Sequence, residues 1–112
     1  MPLTLTGLKN CDTCKKALKS LRDAGAEPSF VDIRSEADLE TLVPQWLDAV
    51  GADTLINKRS TTWRNLSDAE RAMEPAALLQ THPTLIKRPV IETGDAIYVG
   101  WTKDVQAALI GS

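Results

Sequence analysis

The 112-residue sequence has few of the residues on which metal centres and disulfide-stabilised domains depend. Its two cysteines and single histidine, His82, fall one short of the usual four ligands of a structural zinc site. Two cysteines with only two residues between them also differ from the several, widely spaced cysteines of small secreted domains. The formal net charge of -2 gives no overall attraction to nucleic acid or anionic membranes. We therefore expect no metal, no direct nucleic-acid binding and no membrane association.

Long apolar segments are also missing. No apolar run approaches the roughly 20 residues that a membrane-spanning helix needs. The segment Met1–Thr4 lacks the basic stretch and the apolar stretch of a secretory signal, so we expect a cytoplasmic protein. The length fits a single domain, residues 1–112, and we expect it to be a monomer.

The first third of the chain predicts a strand, a helix and a second strand. Leu3–Thr6 alternates apolar and polar residues, as a short strand does, and Gly7 interrupts the pattern. Apolar residues at helical spacing follow over residues 14–24, and residues 28–33 form a second predicted strand. The pair Cys11–Cys14 therefore lies where the first strand meets the helix of a βαβ unit.

The middle of the chain predicts helices and the last third predicts a hairpin and a helix. Ser35–Asp38 looks like a capping box that opens a helix running to residue 50. Pro44 lies inside this apolar stripe and either kinks the helix or begins a new one. The later predicted elements are short helices over 68–73 and 75–80, a strand over 89–92, a turn at Gly94–Asp95, a strand over 96–99, and a helix capped by Thr102.

The cysteine pair predicts thiol chemistry. Cys11 lies at a predicted helix N-terminus, where unpaired N–H groups and the nearby Lys9, Lys15 and Lys16 favour a thiolate. Cys14 follows one helical turn later and would resolve a mixed disulfide formed at Cys11. Cys14 also fits the apolar stripe, so a small core residue is the alternative interpretation.

Two basic groups are candidates for substrate binding. Arg88 precedes Pro89 and would either meet an anionic substrate, stabilise the thiolate or remain a solvated surface residue. Pro89 is also the first residue of a predicted strand, which is a permitted position for proline. Lys58 and Arg59 lie beside Trp63 and would bind the carboxylates of a small thiol, an oxyanion or a protein partner, or form a charged loop with the tryptophan packed inward.

Three segments together resemble a known family. Their sequences are LKNCDTCKKA at residues 8–17, LINKRSTTWR at 55–64 and HPTLIKRPV at 82–90. In order and spacing they resemble the ArsC/Spx family, the glutaredoxin-type arsenate reductases and their relatives, across essentially the whole chain. The resemblance implies an α/β, thioredoxin-like fold with a mixed four-stranded sheet and a helical insertion, about residues 36–82, between the second and third strands.

The resemblance also implies roles for individual residues. Cys11 corresponds to the nucleophile of the arsenate reductases, Arg88 to one of their oxyanion-binding arginines and Pro89 to their cis-proline. Together with the chemistry of the cysteine pair and of the basic groups, we predict Cys11 and Cys14 as catalytic residues, and Asn10, Lys58, Arg59, Arg88 and Pro89 as substrate-binding residues.

At three places this sequence differs from the arsenate reductases, and these differences favour another thiol reaction over arsenate reduction. Asn57 stands where those enzymes carry an arginine, Tyr98–Trp101 replaces a segment with another arginine, and Cys14 is a second cysteine that they usually lack. The chain looks closer to the CxxC-bearing bacterial branch of thiol reductases. We therefore predict a thiol–disulfide oxidoreductase without a bound cofactor, with glutathione as co-substrate and glutathione or a protein disulfide as partner. The alternatives are an arsenate reductase that binds an oxyanion, and an Spx-like redox-switched regulator that binds RNA polymerase.

Overall fold

The computed structural model describes residues 2–94 and 96–110, so Asp95 of the predicted Gly94–Asp95 turn lies outside the described residues. The chain forms two compact units. The sheet unit comprises the chain up to Glu36 and from Arg88 onward, and the helical unit is Ala37–Lys87. In chain order the elements are β1 (Pro2–Gly7), α1 (Asp12–Asp23), β2 (Glu27–Asp32), α2 (Leu39–Val50), α3 (Ala52–Leu55), α4 (Thr61–Arg64), α5 (Asp68–Arg71), α6 (Pro75–Thr81), a 3₁₀ turn (Pro83–Leu85), β3 (Val90–Glu92), β4 (Ile97–Val99) and α7 (Lys103–Ile110).

The sheet unit contains a mixed four-stranded sheet in the order β2-β1-β3-β4. β1 runs parallel to β2, whereas β3 is antiparallel to both β1 and β4. β1 extends one residue beyond the predicted Leu3–Thr6 at each end, because Pro2 pairs with Glu27 and Gly7 still pairs with Asp32 of β2. The parallel strands β1 and β2 therefore end side by side at one edge of the sheet. This α/β architecture, with its helical segment between β2 and β3, confirms the predicted fold class.

The core of the sheet unit joins α1 and α7 to the sheet. The apolar stripe of α1 is buried, and Leu21 and Leu5 of β1 have no exposed surface. Burial of a leucine side chain contributes roughly 1.5–3 kcal/mol, so this cluster holds the start of α1 firmly against β1. The buried members of the cluster are Leu3, Leu5, Cys14, Ala17, Leu21, Ile91 and Val105.

The turn after β2 corrects one prediction. Ser35–Asp38 does not open a helix, because α2 begins at Leu39 with no side-chain cap. The carboxylate of Asp32 instead accepts the N–H groups of Arg34 (2.8 Å) and Ser35 (3.1 Å). A short polar side chain that bonds its own backbone in this way competes with helix formation and gives a turn.

The helical unit is organised around the packing of α2 on α6. Val43 and Trp46 of α2 and Leu78 and Leu79 of α6 are buried. α2 is one continuous helix with Pro44 inside it, which answers the question that the sequence left open. None of the described helices is long and apolar enough to cross a membrane.

Candidate active site

Cys11 lies between a tight turn and a helix. Its N–H donates to the carbonyl of Leu8 (3.2 Å), which closes the turn that follows β1. Its carbonyl accepts the N–H of Lys15 (3.0 Å), and its extended backbone makes it the N-cap of α1. The sulfur is therefore at the N-terminus of a helix, as the spacing predicts, and the side chain is partly exposed.

Cys14 is buried on the apolar stripe of α1, and Gly7 is the residue that makes room for it. The relative exposure of Cys14 is 0%. A Cβ atom on Gly7 would overlap the Cys14 sulfur and lie 3.4 Å from the Cys14 Cβ. The sequence pattern predicts only that Gly7 interrupts the strand, and it does not indicate that Gly7 leaves space for the Cys14 sulfur. The available signal was a glycine four residues before the first cysteine of a strand–CxxC–helix unit.

The environment of Cys11 favours its thiolate. Partial burial raises the pKa of this thiol, but the backbone and side chain of Cys14 and the guanidinium of Arg88 lower it, and the net shift is downward. Arg88 acts both as a hydrogen-bond donor to the sulfur and as a nearby positive charge. Hydrogen bonds and a cation that stabilise the charged form lower the pKa of an acid, so Cys11 is the more reactive thiol at neutral pH.

Cys14 has the opposite electrostatics. Burial is the largest influence and raises its pKa to about 11; the backbone hydrogen bond with Leu8 opposes this rise, the hydrogen bond and charge of Cys11 add to it, and the charge of Arg88 lowers the pKa slightly. Cys14 is therefore protonated at neutral pH. A thiolate-forming, partly exposed sulfur and a protonated, buried sulfur lie one helical turn apart.

Arg88 and Pro89 come from a distant part of the sequence. The bond between them is cis, and the buried Pro89 carbonyl accepts the N–H of Gly100 at 2.8 Å. This segment leads into β3, which pairs with β1 through Thr6 and Val90. That strand pairing brings Arg88 next to Cys11, so the structure unites three of the seven predicted site residues: Cys11, Cys14 and Arg88. Pro89 follows Arg88 directly in the chain. Asn10 is exposed in the turn that immediately precedes Cys11.

Lys58 and Arg59 lie in the helical unit, where they line a pocket of about 310 Å³. Lys58 is 3.9 Å from the carboxylate of Asp53 and 5.7 Å from the ring centre of Trp63. Arg71 lies 5.4 Å from the same ring, which is itself partly buried. The substrate-binding roles of Lys58 and Arg59 stay predictions. The pocket is lined by Asp53, Ile56, Asn57, Lys58, Arg59 and Lys87.

His82 has a structural position in the helical unit. It is the C-cap residue of α6, and its Nε2 lies 2.9 Å from Oε2 of Glu70. Glu70 in turn forms a capping box with Ser67 at the start of α5. Over residues 2–94 and 96–110, no group of three or more histidine, cysteine, aspartate or glutamate side chains is placed to hold a metal.

Known proteins resemble this chain over nearly its whole length. An uncharacterised protein of Haemophilus influenzae is 40% identical over 111 residues, covering 95% of this chain and 97% of the relative. The solved structure of a protein named YFFB is 34% identical with a TM-score of 0.86, covering 96% of this chain and 98% of that one. The global transcriptional regulator Spx of Staphylococcus saprophyticus is 28% identical over 107 residues, covering 91% and 82%.

The family assignment follows from a match that includes the whole cysteine site. The model of the ArsC family matches residues 7–109, which begin at Gly7 beside the Cys14 sulfur and extend into α7. The chain therefore belongs to the ArsC family, with the thioredoxin-like fold that its sheet and its solved relatives share.

Proposed function

We propose that this protein is a cytoplasmic thiol–disulfide oxidoreductase in which Cys11 attacks the substrate and Cys14 resolves the intermediate. The observation that carries this proposal is the inequality of the two sulfurs. Cys11 is partly exposed beside Arg88 with a lowered pKa, whereas Cys14 is buried with a pKa raised to about 11. Only the first sulfur is accessible, and its thiolate forms more readily than that of Cys14, so it is the attacking group.

In the first step, the Cys11 thiolate attacks one sulfur of a substrate disulfide. A bond forms between Cys11 and that half of the substrate while the substrate S–S bond breaks. The other half leaves as a thiolate and takes up a proton from water. The product is a mixed disulfide at Cys11.

In the second step, Cys14 loses its proton and attacks the Cys11 sulfur. The negative charge of Cys11, which helps to keep Cys14 protonated, has disappeared by then, whereas Arg88 still lowers the pKa of Cys14. The Cys11–Cys14 disulfide forms and the remaining half of the substrate leaves as a thiol. The two cysteines have given up two electrons and the substrate disulfide has become two thiols.

Glutathione is the proposed reductant that restores the starting state. One glutathione thiolate attacks Cys11 of the disulfide and Cys14 leaves as a thiol. A second glutathione attacks the resulting mixed disulfide, which releases oxidised glutathione and regenerates the Cys11 thiolate. The protein supplies both reacting sulfurs, so this cycle needs no bound cofactor, and we propose that a monomer performs it.

Variants of the two cysteines test the proposal. With a disulfide substrate and glutathione, Cys11→Ser should lose all turnover, whereas Cys14→Ser should accumulate a glutathione adduct on Cys11. The oxidised wild-type protein should instead lose about 2 Da, which reports the internal disulfide. Equal alkylation rates of Cys11 and free cysteine at neutral pH would contradict the thiolate assignment.

Arsenate reduction is a second candidate, favoured by Arg88 beside Cys11. In this reaction the Cys11 thiolate would displace hydroxide from arsenate, with Arg88 pairing with the oxyanion, and form an As–S bond. A glutathione thiolate would then attack the Cys11 sulfur, so that arsenite leaves with the electron pair of the As–S bond and a Cys11–glutathione disulfide forms. A second thiol would reduce that disulfide and restore Cys11. Arsenite formation coupled to glutathione and glutaredoxin measures it. Turnover no higher than that of Cys11→Ser would exclude it.

A regulatory role is a third candidate, favoured by the similarity to Spx. Here the Cys11–Cys14 disulfide would change a protein-binding surface instead of serving turnover. Binding to RNA polymerase that differs between reduced and oxidised protein would support this role. Absence of binding in both states would argue against it.

A further inference from the structure

A pocket of about 480 Å³ lies beside the turn that carries Cys11. Its walls are the turns that follow the parallel strands β1 and β2. The pairing of Gly7 with Asp32, and the 2.8 Å bond from the N–H of Ile33 to the carbonyl of Gly7, hold these two turns side by side. Ligands of open α/β sheets bind outside the carboxyl ends of the strands, which is the position of this pocket. The lining residues are Leu8, Lys9, Asn10, Asp32, Arg34 and Ser35.

Cations outnumber carboxylates in the lining of the pocket, with Lys9 and Arg34 against Asp32. The carboxylate of Asp32 is engaged by the N–H groups of Arg34 and Ser35, which together with the charge of Lys9 lower its pKa. Glu36 is engaged in the same turn, since its Oε1 accepts the N–H of Asp32 at 2.9 Å. Lys9 and Arg34 are exposed and form no salt bridge with any carboxylate of the described residues. Two cations are therefore available to a ligand, whereas the carboxylates already have partners.

The pocket is close enough to Cys11 to hold the end of a substrate. Lys9 and Asn10 are the central residues of the turn closed by the bond from Cys11 to Leu8. The ends of such a turn lie within about 7 Å of each other. An extended peptide spans roughly 3.5 Å per residue, so a carboxylate one residue away from the reacting sulfur reaches this pocket.

We propose that this Lys9–Arg34 pocket binds a carboxylate of the thiol or disulfide substrate, so that the preferred substrates are acidic peptide thiols instead of neutral or cationic ones. Lys9 and Arg34 would pair with the carboxylate oxygens and the amide of Asn10 would donate a further hydrogen bond. This inference rests on the proposed thiol–disulfide exchange at Cys11. It adds a site that orients the substrate half which becomes joined to Cys11.

The test compares two substrates that differ in whether their two carboxylates are free or esterified. One is the mixed disulfide of glutathione with a fluorescent reporter thiol, and the other is the same disulfide made from glutathione diethyl ester. We expect the wild type to prefer the free acid about five- to tenfold in kcat/KM, as two exposed charge pairs allow. The double variant Lys9→Gln/Arg34→Gln should lose this preference, and Arg22→Gln, which removes an exposed cation elsewhere on the sheet unit, should keep it.

The ratio of the two kcat/KM values separates binding from reactivity. Any change in the Cys11 thiolate affects both substrates and cancels in the ratio. A ratio in Lys9→Gln/Arg34→Gln equal to that of the wild type would overturn the pocket while leaving the thiol–disulfide exchange intact.

If neither substrate turns over, the proposed function is wrong. A binding measurement then tests the pocket by itself. S-methylglutathione titrated into the Cys11→Ser protein should shift the backbone amide resonances of residues 8–10 and 32–35. The shifts should disappear with the diethyl ester and in the Lys9→Gln/Arg34→Gln background. Unshifted resonances in both turns at millimolar ligand would also overturn the proposal.

Discussion

Gly7→Ala is expected to displace the sulfur of Cys14. The new methyl group would overlap that sulfur and lie 3.4 Å from the Cys14 Cβ. Cys14 has no exposed surface and belongs to the cluster that joins α1 to the sheet, so a displaced sulfur would press on other buried side chains. The strain must therefore be relieved by a shift of α1 against β1, which disturbs the whole cluster.

The size of the effect follows from overpacking in a dense core. Extra atoms in a well-packed site reduce the free energy of unfolding by about 1–3 kcal/mol. In a Cys14→Ala background the overlapping sulfur is absent, and alanine in a strand is favoured over glycine by roughly 0.5–1 kcal/mol. Gly7→Ala should then be neutral or slightly stabilising. The coupling between the two substitutions is expected to be about 1–3 kcal/mol.

Urea denaturation of the wild type, the two single variants and the double variant under reducing conditions measures this coupling. Gly25→Ala is the matched control, because its Cβ would meet nothing within 4 Å and its cost comes from a φ of 89°. That control should be additive with Cys14→Ala. If Gly7→Ala lowers the unfolding free energy equally with and without the Cys14 sulfur, the close approach of strand and sulfur is not the reason for the glycine.

Three further predictions concern the thiols and the helical unit. Arg88→Met removes the guanidinium that stabilises the Cys11 thiolate, so the pKa of Cys11 should rise and its alkylation at pH 7 should slow roughly three- to tenfold. An unchanged alkylation rate would show that Arg88 does not stabilise the thiolate. Burial raises the pKa of Cys14 to about 11, so the native state of the reduced protein holds this proton more tightly than the unfolded chain. The stability is therefore full below about pH 8.5 and should fall by roughly 2 kcal/mol as the pH rises toward 11, a fall that urea denaturation should not find in Cys14→Ala. Ser67→Ala removes the acceptor of the Glu70 N–H at the start of α5 and should lower the free energy of unfolding by about 1 kcal/mol in the same assay. A loss below about 0.2 kcal/mol would show that this cap does not stabilise the protein.

Short-range sequence patterns predict the strand–helix unit formed by β1 and α1. The alternation in β1 and the helical spacing of Cys14, Ala17 and Leu21 give the strand–helix unit and place Cys11 at the helix N-terminus. Arg88 is different, because its approach to Cys11 depends on the antiparallel pairing of β3 with β1. No local period encodes that pairing, so from the sequence the contact of Arg88 with the thiolate is one of several alternatives.

The two misjudged positions have a common physical origin. Ser35 looks like a helix cap by its own sequence, but the Asp32 carboxylate takes its N–H and makes a turn instead. Gly7 looks like the end of a strand, but it stays in β1 and makes room for a side chain on another element. In both cases the deciding partner lies outside the alternation or capping pattern, so that pattern alone does not identify it.

The inequality of the cysteines gives the proposed reaction its direction. A substrate arriving from solvent can reach only Cys11, since Cys14 has no exposed surface. The same sulfur is the one that Arg88 and the helix N-terminus help to ionise, so accessibility and reactivity coincide on one atom. Cys14 can then act only from inside, on a sulfur already joined to Cys11. The spacing places Cys11 at the partly exposed N-terminus of α1 and Cys14 in the core, which is the difference that the proposed reaction uses.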